Sequence, residues 1–254
     1  MPPPRPPATI TLSHILREDP ELAEVLPPAQ RARAIDECVA PTRSVKRGGW
    51  RPEADAGDWA GPGGIGLLVL EGLLVRRVGV DDRFGAELLG EGDVLRPWQN
   101  TGSDPAPLNR TVGWRVLEAT RLAVLDGAVA AAMAAYPQLT GGLVARALER
   151  SRNLAINMAI IHQSRVHTRL LMLLWHLADR WGRVRTEGVV LPLRLTHSVL
   201  ADLVTARRPT VTSALSELSR RGLVTPRERG WLLHGDPPGE LLELQPIHVT
   251  NGRG

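Results

Sequence analysis

Short apolar runs separated by glycine-rich turns, at a spacing of roughly ten residues, characterise the front half of the chain. Short apolar repeats over residues 9–37 predict helices after a proline-rich arm, residues 1–8, that is expected to be disordered. From residue 41 onward, Gly, Pro and β-branched residues alternate with Leu and predict strands joined by loops. Strands with this spacing predict a small β-roll or barrel.

Two of these runs, residues 65–70 and 73–80, flank Glu71 and Gly72. This arrangement predicts a hairpin in which Gly72 supplies the positive φ of the turn. A further strand, a turn at residues 90–92 and a strand beginning at Val94 are predicted next. The segment TVGWRVLEATRLAVLD adds two more runs, which complete the β-rich half of the chain.

A single apolar stripe with helical spacing follows Asp126. It recurs at gaps of three and four residues, through Leu143, Ala147, Ser151, Leu154, Met158 and Ile161. Such a stripe packs inside its own domain or forms a two-stranded coiled-coil seam, and the length of this helix between two domains favours the seam. The charged residues Arg146 and Arg150 fall on other faces. The predicted dimer interface therefore comprises Leu143, Ala147, Leu154, Met158 and Ile161.

A second helix is predicted over residues 165–181, followed by a strand pair that turns at residues 187–188. Two short helical patterns then occupy residues 195–222. Thr196 is placed to cap the first, and Pro209 suits the first turn of the second, where its missing N–H costs nothing. A tight break at residues 205–207 separates them, and this spacing predicts a helix-turn-helix.

The second of these helices has Val211, Leu215 and Leu218 as its apolar stripe, so its hydroxyl and guanidinium side chains point outward. Such a face enters a DNA major groove, where Arg reads guanine and Thr or Ser reach bases or phosphates. The segment LVTPRERGWLLHG predicts a β-hairpin, or wing, behind it. The predicted DNA-binding residues are Thr196, His197, Ser198, Arg207, Arg208, Thr210, Thr212, Ser213, Arg227 and Arg229.

Charge is divided unevenly along the chain. Residues 1–140 carry 15 Lys and Arg against 18 Asp and Glu, whereas residues 141–254 carry 16 Arg against 9 Asp and Glu. This split favours a polyanionic partner for the back half. No apolar run is long enough to span a membrane and no signal peptide is present, so a cytoplasmic location is expected.

The residue types of this chain and their positions argue against an enzyme and against a metal-binding protein. The only cysteine, Cys38, excludes a disulfide framework within the chain and a Cys-rich metal site. A metal cupin needs converging histidines, but no histidine lies between residues 41 and 135. No phosphate-binding loop precedes a helix, and no nucleophile elbow is present. We therefore predict no catalytic residue, no metal and no cofactor.

The segments LTHSVLADLV, RRPTVTSALSELSRRGLV and the wing RG-W-LL resemble the Crp–Fnr family of bacterial transcription factors. RLLMLLWHLA, LVLEGLLVRRV and LLGEGDVL extend the resemblance over roughly residues 60–235. It implies an α+β fold with an N-terminal cyclic-nucleotide-binding-like β-roll, a long dimerisation helix and a C-terminal winged helix-turn-helix. It also implies duplex DNA as a partner, with RNA polymerase as a further candidate.

The chain departs from this family at both of its functional sites. The family's recognition helix carries an Arg, then Glu, then Arg four residues later, whereas the matching residues here are Arg208, Pro209 and Ser213. Arg96–Pro97–Trp98 replaces the nucleotide-binding Gly-Glu-Leu, and only Arg110 loosely matches the phosphate-binding Arg. The family's long helix offers a polar pair to adenine where this chain has Leu154–Ala155. We therefore expect no response to cyclic AMP.

Arg96, Trp98 and Arg110 form the candidate ligand pocket. Arg96 and Trp98 either fill the pocket themselves or bind another ligand, with Trp98 stacking on it and Arg96 pairing with its carboxylate.

Five segments follow from this reading. They are an N-terminal arm with helices (1–40), a β-roll (41–137), a dimerisation helix (138–164), a winged helix-turn-helix (165–238) and a C-terminal tail (239–254). The predicted function is that of a dimeric, sequence-specific DNA-binding transcription regulator. The alternative is a ligand-sensing or scaffold protein that uses its winged helix for protein contacts. The excess of arginine around the second helix and the wing favours DNA.

Overall fold

The computed structural model describes residues 11–52, 63–80, 83–100 and 110–239. The chain divides into two compact units, Met1–Ala155 and Ile156–Gly254. The predicted N-terminal arm, residues 1–8, and residues 240–254 of the predicted tail lie outside the described residues.

The first unit is built on one antiparallel sheet. Its strands are β1 (Thr11–His14), β2 (Val39–Val45), β3 (Gly48–Trp50), β4 (Gly66–Val80), β5 (Arg83–Leu89), β6 (Val94–Leu95) and β7 (Arg110–Leu125). The order is β1-β2-β7-β4-β5, with β3 also paired to β7 and β6 to β4. Its helices are α1 (Ile15–Glu18), α2 (Pro20–Glu24), α3 (Pro28–Glu37), α4 (Gly127–Met133) and α5 (Pro137–Ile161), the last of which continues into the second unit.

Both faces of this sheet are apolar because alternate residues of its central strands point to opposite sides. Leu67 lies in an inner cluster with Leu74, Leu95 and Trp114. Its neighbour Leu68 lies in a second cluster, formed with residues of α1 to α4 and the start of α5. The helices thus cover one face, and the other face encloses the interior of the β-roll.

The hairpin predicted around Gly72 is wrong, because β4 is one strand of 15 residues. Gly72 does have a positive φ of 103°, but it lies at a break in the register of β4 against β7. A Cβ atom there would lie 2.5 Å from Oγ1 of Thr120, so the backbones approach more closely than another residue allows. Pairing along both neighbours of β4 outweighs the local turn signal.

Two smaller predictions are also corrected. Residues 11–14 form strand β1, paired with β2, before the helices begin at Ile15. The two runs predicted in TVGWRVLEATRLAVLD are a single 16-residue strand, β7, which pairs with β2, β3 and β4. In both places a long-range partner strand sets the element's length.

The described part of the second unit that follows α5 combines helices with a small sheet. Its elements are α6 (Val166–Trp181), β8 (Arg183–Arg185), β9 (Gly188–Leu191), α7 (His197–Leu203), α8 (Arg208–Arg220), β10 (Val224–Arg227) and β11 (Gly230–Leu233). The sheet order is β10-β11-β9-β8, all antiparallel. The predicted α+β fold class, with a β-roll, a long helix and a winged helix-turn-helix, is confirmed.

No single helix in the described part of the chain has the length and apolar character to cross a membrane, although α4 and α5 pass that test as a pair bent by 113°.

Candidate nucleic-acid interface

The two helices α7 and α8 begin and end where their sequence predicts. The hydroxyl of Thr196 accepts a hydrogen bond from the backbone N–H of Val199 at 3.3 Å, which caps α7. Pro209 occupies the first turn of α8, and Gly222 follows its end with a positive φ of 67°. Val211, Leu215 and Leu218 are buried. The predicted apolar stripe therefore fixes which face of α8 is left outside.

The outer face of α8 carries cations and hydroxyls. Arg207, Arg208, Thr210, Thr212 and Ser213 are all exposed. Within the described residues, the guanidinium groups of Arg207 and Arg208 have no hydrogen-bond or ion-pair partner. The acidic residue of this helix, Glu217, forms an ion pair with Arg220 one turn later. The start of α8 therefore presents two uncompensated positive charges to solvent.

The hydroxyls of this face are already engaged with the helix backbone. Thr212 donates to the carbonyl of Arg208 at 3.1 Å, and Ser213 donates to that of Pro209 at 3.2 Å. Nδ1 of His197 lies 2.9 Å from Oγ1 of Thr212. His197 thus joins the start of α7 to α8. Within the part of the chain that the structure describes, the hydroxyl of Thr210 in the first turn has no hydrogen-bond partner.

The wing follows as predicted, with β10 and β11 joined at residues 228–229. Arg229 is exposed in the turn. Arg227 is also exposed, but its Nη2 lies 3.1 Å from Oε1 of Glu187, in the turn between β8 and β9. One of the two predicted wing arginines is therefore already paired with a carboxylate. At the start of α7, Thr196 and Ser198 are both exposed.

The apolar stripe on α5 differs in phase from the predicted seam. Leu143 is only 7% exposed because it packs in the core with Leu22 and Leu139, so it cannot also serve a partner. Leu154 lines a cavity of its own unit, and Ile161 is partly buried. The exposed residues of α5 at gaps of four and three are Val144, Leu148, Ser151, Ala155 and Met158. Val144, Leu148 and Met158 are 53%, 66% and 60% exposed.

A cavity of about 240 Å³ lies in the first unit, beside α5. Its lining residues are Arg76, Asp93, Val94, Arg146, Ala147, Arg150, Ser151 and Leu154. None of the three residues predicted for the ligand pocket is among them. Arg96 and Arg110 are exposed, whereas Trp98 packs against the inner cluster of the β-roll. The predicted ligand pocket is therefore not this cavity, and the role of Arg96, Trp98 and Arg110 stays a prediction.

Two arginines share one buried carboxylate at this cavity. Glu87 on β5 is 8% exposed and accepts two hydrogen bonds from Arg150, at 3.1 Å from Nε and 2.7 Å from Nη2. Nε of Arg76 lies 2.5 Å from the same carboxylate, and its guanidinium stacks over Trp114. Arg150 also donates to the carbonyl of Val94 at 3.1 Å. These contacts connect α5 directly to β5 and β6, and through Glu87 to β4.

The pKa values of Arg76 and Arg150 shift in opposite directions in this environment. Burial lowers the pKa of Arg76, and the nearby charge of Arg150 lowers it further, so the pKa of Arg76 falls despite Glu87. Burial also lowers the pKa of Arg150, but its hydrogen bonds and charge attraction to Glu87 outweigh burial, and its pKa is raised. The attraction of Glu87 thus outweighs the burial of Arg150 but not that of Arg76.

A second ion pair lies one helical turn away on α5. Arg146 donates from Nη1 to Oδ2 of Asp19 at 2.5 Å and from Nη2 to Oδ1 at 2.8 Å. Oδ1 of Asp19 also accepts from the N–H of Leu22, capping α2. These hydrogen bonds raise the pKa of Arg146. Arg146 and Arg150 thus fasten the same face of α5 to two parts of the first unit.

Sequence reasoning placed Arg146 and Arg150 on faces other than the apolar stripe and assigned them no partner, although a strand pattern could have supplied one. Glu87 and Leu89 share a face of β5 because residues two apart point the same way. Leu89 is fully buried in the inner cluster, so Glu87 is directed inward as well. An inward carboxylate needs a cation, and the Arg146–Arg150 spacing supplies two on one helix face.

The described residues contain neither a cluster of metal ligands nor a reactive cysteine. Among the described residues, no three His, Cys, Asp or Glu side chains come together as a metal site. Cys38 is fully buried, and that burial, aided by the nearby charge of Glu37, raises the pKa of its thiol. A protonated, inaccessible thiol suits packing rather than reactivity.

Comparison with known proteins agrees with this geometry. Residues 165–239 match the model of the Crp-like helix-turn-helix domain family. A curated relative from Porphyra purpurea, named as an HTH-type transcriptional regulator (ycf28), is 28% identical over 102 residues, which are 40% of this chain. The match spans 43% of that relative's length.

Solved structures share the fold of most of the chain. A cyclic nucleotide-binding domain containing protein from Listeria monocytogenes has a TM-score of 0.58 and 15% identity, covering 84% of this chain and 96% of its own. A mutant of CooA from Carboxydothermus hydrogenoformans has a TM-score of 0.56 and 17% identity, covering 80% and 86%. The resemblance stated from the sequence is confirmed in its fold and in its helix-turn-helix domain.

Proposed function

We propose that this chain, whose residues 165–239 form a Crp-like helix-turn-helix domain, is a homodimeric, sequence-specific DNA-binding transcription regulator of the cytoplasm. The observation that carries the proposal is the exposed start of α8, where Arg207 and Arg208 have no protein partner within the described residues. A recognition helix enters the major groove with its N-terminal residues foremost. Catalysis has no part in this proposal.

The proposal is tested by selecting bound sequences from random duplex DNA with the full chain. We expect enrichment of a two-fold symmetric site whose halves are about 34 Å apart. We also expect the affinity for that site to fall steeply as salt rises, because arginines displace counterions from the phosphates. Failure to enrich any sequence would favour the alternative, in which the winged helix contacts protein.

Arg208 and Arg207 are proposed to act differently on DNA. Arg208 lies in the first turn of α8 and reads a base, whereas Arg207, Thr210 and His197 position the phosphates. Arg208→Ala is therefore expected to relax the preference at one base pair, at a cost of about 1–3 kcal/mol. Arg207→Ala should weaken every sequence alike. Affinities for a set of single-base variants of the selected site give the measurement, and a uniform loss with Arg208→Ala would contradict its role.

The β-roll is proposed to act without cyclic AMP. Arg76 and Arg150 already share Glu87, and Arg146 is held by Asp19, so a phosphate would have to break an internal pair to be bound. Trp98 packs against the inner cluster of the β-roll. These contacts support a β-roll in which the protein's own side chains, and not a bound nucleotide, connect the strands to α5.

Calorimetry with cyclic AMP and cyclic GMP at millimolar concentration is expected to give no heat of binding. DNA titrations with and without each nucleotide should coincide, because a ligand shifts affinity only through differential binding to two states. Micromolar binding of either nucleotide, with a matching gain in DNA affinity, would overturn this expectation.

A further inference from the structure

The turn between α7 and α8 contains a strained residue. Thr205 has a φ of 52° and is the only residue other than glycine with a positive φ among the described residues. A β-branched side chain rarely adopts this left-handed conformation, and it persists only where neighbouring contacts hold it. The conformation matters because residues 205–207 set the direction in which α8 leaves α7.

One guanidinium contacts this turn. Arg169, in the first half of α6, donates from Nη1 to the carbonyl of Val204 at 3.2 Å and lies at 3.5 Å from that of Thr205. Both carbonyls follow the last turn of α7, where backbone oxygens carry partial negative charge and a cation is favoured. Arg169 is therefore placed to stabilise the left-handed turn.

The same guanidinium also reaches the end of α5. Nε of Arg169 donates to the carbonyl of Gln163 at 2.6 Å, in the connection between α5 and α6. Two segments that are about 40 residues apart in sequence thus share one planar, rigid hydrogen-bond donor. A displacement of the α5 end would pull on the turn before the recognition helix.

We propose that Arg169 is a positioning residue for DNA recognition, which holds the α7–α8 turn in its left-handed conformation and ties that turn to the end of α5. The proposal rests on the proposed DNA-binding function. It assigns Arg169 no contact with DNA. Its effect on affinity is exerted through the angle of α8.

Affinity measurements on the full chain separate positioning from phosphate contact. Arg169→Gln is expected to lower the affinity for the selected duplex about tenfold while leaving the salt dependence of binding unchanged. Thr205→Gly removes the strain that Arg169 offsets, so the double variant should regain most of the lost affinity. The single Thr205→Gly variant completes the cycle. Arg180→Gln, which removes the same charge from the exposed end of α6, is the matched control and should bind as the unmodified protein does.

A salt slope that falls by about one in Arg169→Gln would instead make Arg169 a phosphate contact and overturn the proposal. A double variant as weak as Arg169→Gln alone would likewise contradict it.

Hydrogen exchange in the absence of DNA tests the connection itself. The amide of Ala206 bonds to Ala201 and that of Gln163 to Ile160. Arg169→Gln should speed exchange at both amides, and Thr205→Gly should restore protection at Ala206 only. Unchanged protection at Gln163 would reject the tie to α5. If the unmodified chain binds no duplex, the proposed function fails, but this exchange experiment still decides what Arg169 holds.

Discussion

Replacing Leu148 and Met158 together by Asp is expected to convert the proposed dimer to a monomer and to abolish specific DNA binding. Both side chains are largely exposed on α5, and with Val144, Ser151 and Ala155 they recur at gaps of three and four. A second copy of the same helix matches such spacing as a coiled-coil partner. Four carboxylates in that seam would repel one another and lose the apolar contact.

The loss of specific affinity should be about a thousandfold or more. A monomer contacts one half-site only, so it loses the increase in affinity that two linked subunits have when both half-sites are bound together. Light scattering gives the mass, and DNA titration gives the affinity. Leu12→Asp is the control, since Leu12 on β1 is as exposed as Leu148, at 66%. An unchanged dimer mass in the double variant would show that the stripe is not the interface.

The second large effect is expected from Glu87→Leu. This change leaves Arg76 and Arg150 close together without the carboxylate that they share. Removing one partner from a buried ion pair leaves uncompensated charge, at a cost of about 3–5 kcal/mol in the free energy of unfolding. Urea unfolding followed by circular dichroism measures it. Glu71→Leu on β4 is the matched control, because Glu71 is 68% exposed and its contact with Arg121 is long, at 3.8 Å.

Replacing Arg76 and Glu87 by Leu and Arg150 by Met in one protein should recover most of that stability, because no charge is then left unpaired. Recovery would show that the cost came from the orphaned charges and not from lost packing. A Glu87→Leu protein that unfolds at the same urea concentration as the unmodified protein would mean that the ion pairs of Glu87 with Arg76 and Arg150 do not contribute to stability.

The helix-turn-helix was predictable because its signals are local. Thr196, Pro209 and Gly222 lie next to the helix ends that they set, and Val211, Leu215 and Leu218 lie within two turns of one another. The exposed arginines of α8 follow from that stripe alone. For this reason the predicted positions of the candidate DNA-binding residues agree with the structure, while their roles stay predictions.

The β-roll was less predictable because its decisive contacts are distant in sequence. Arg150 and Glu87 are 63 residues apart, and Arg146 and Asp19 are 127 apart. Gly72 has the local signature of a turn, but pairing of β4 with β7 on one side and with β5 and β6 on the other extends the strand through it. The burial of Leu143 could not be predicted for the same reason, since the core cluster that contains it also holds residues of β2, β4 and β7, which are distant in sequence.

The two ion pairs on α5 also restrict how the chain length can vary. Asp19 and Glu87 fix the orientation of α5 about its own axis at Arg146 and Arg150. One residue inserted after Arg150 would rotate Met158 by about 100° relative to Leu148. An insertion of seven residues would return it to nearly the same azimuth. Related chains that keep both ion pairs are therefore expected to differ in length between residues 150 and 158 only by insertions close to a whole number of helical turns, such as about 7, 11 or 18 residues.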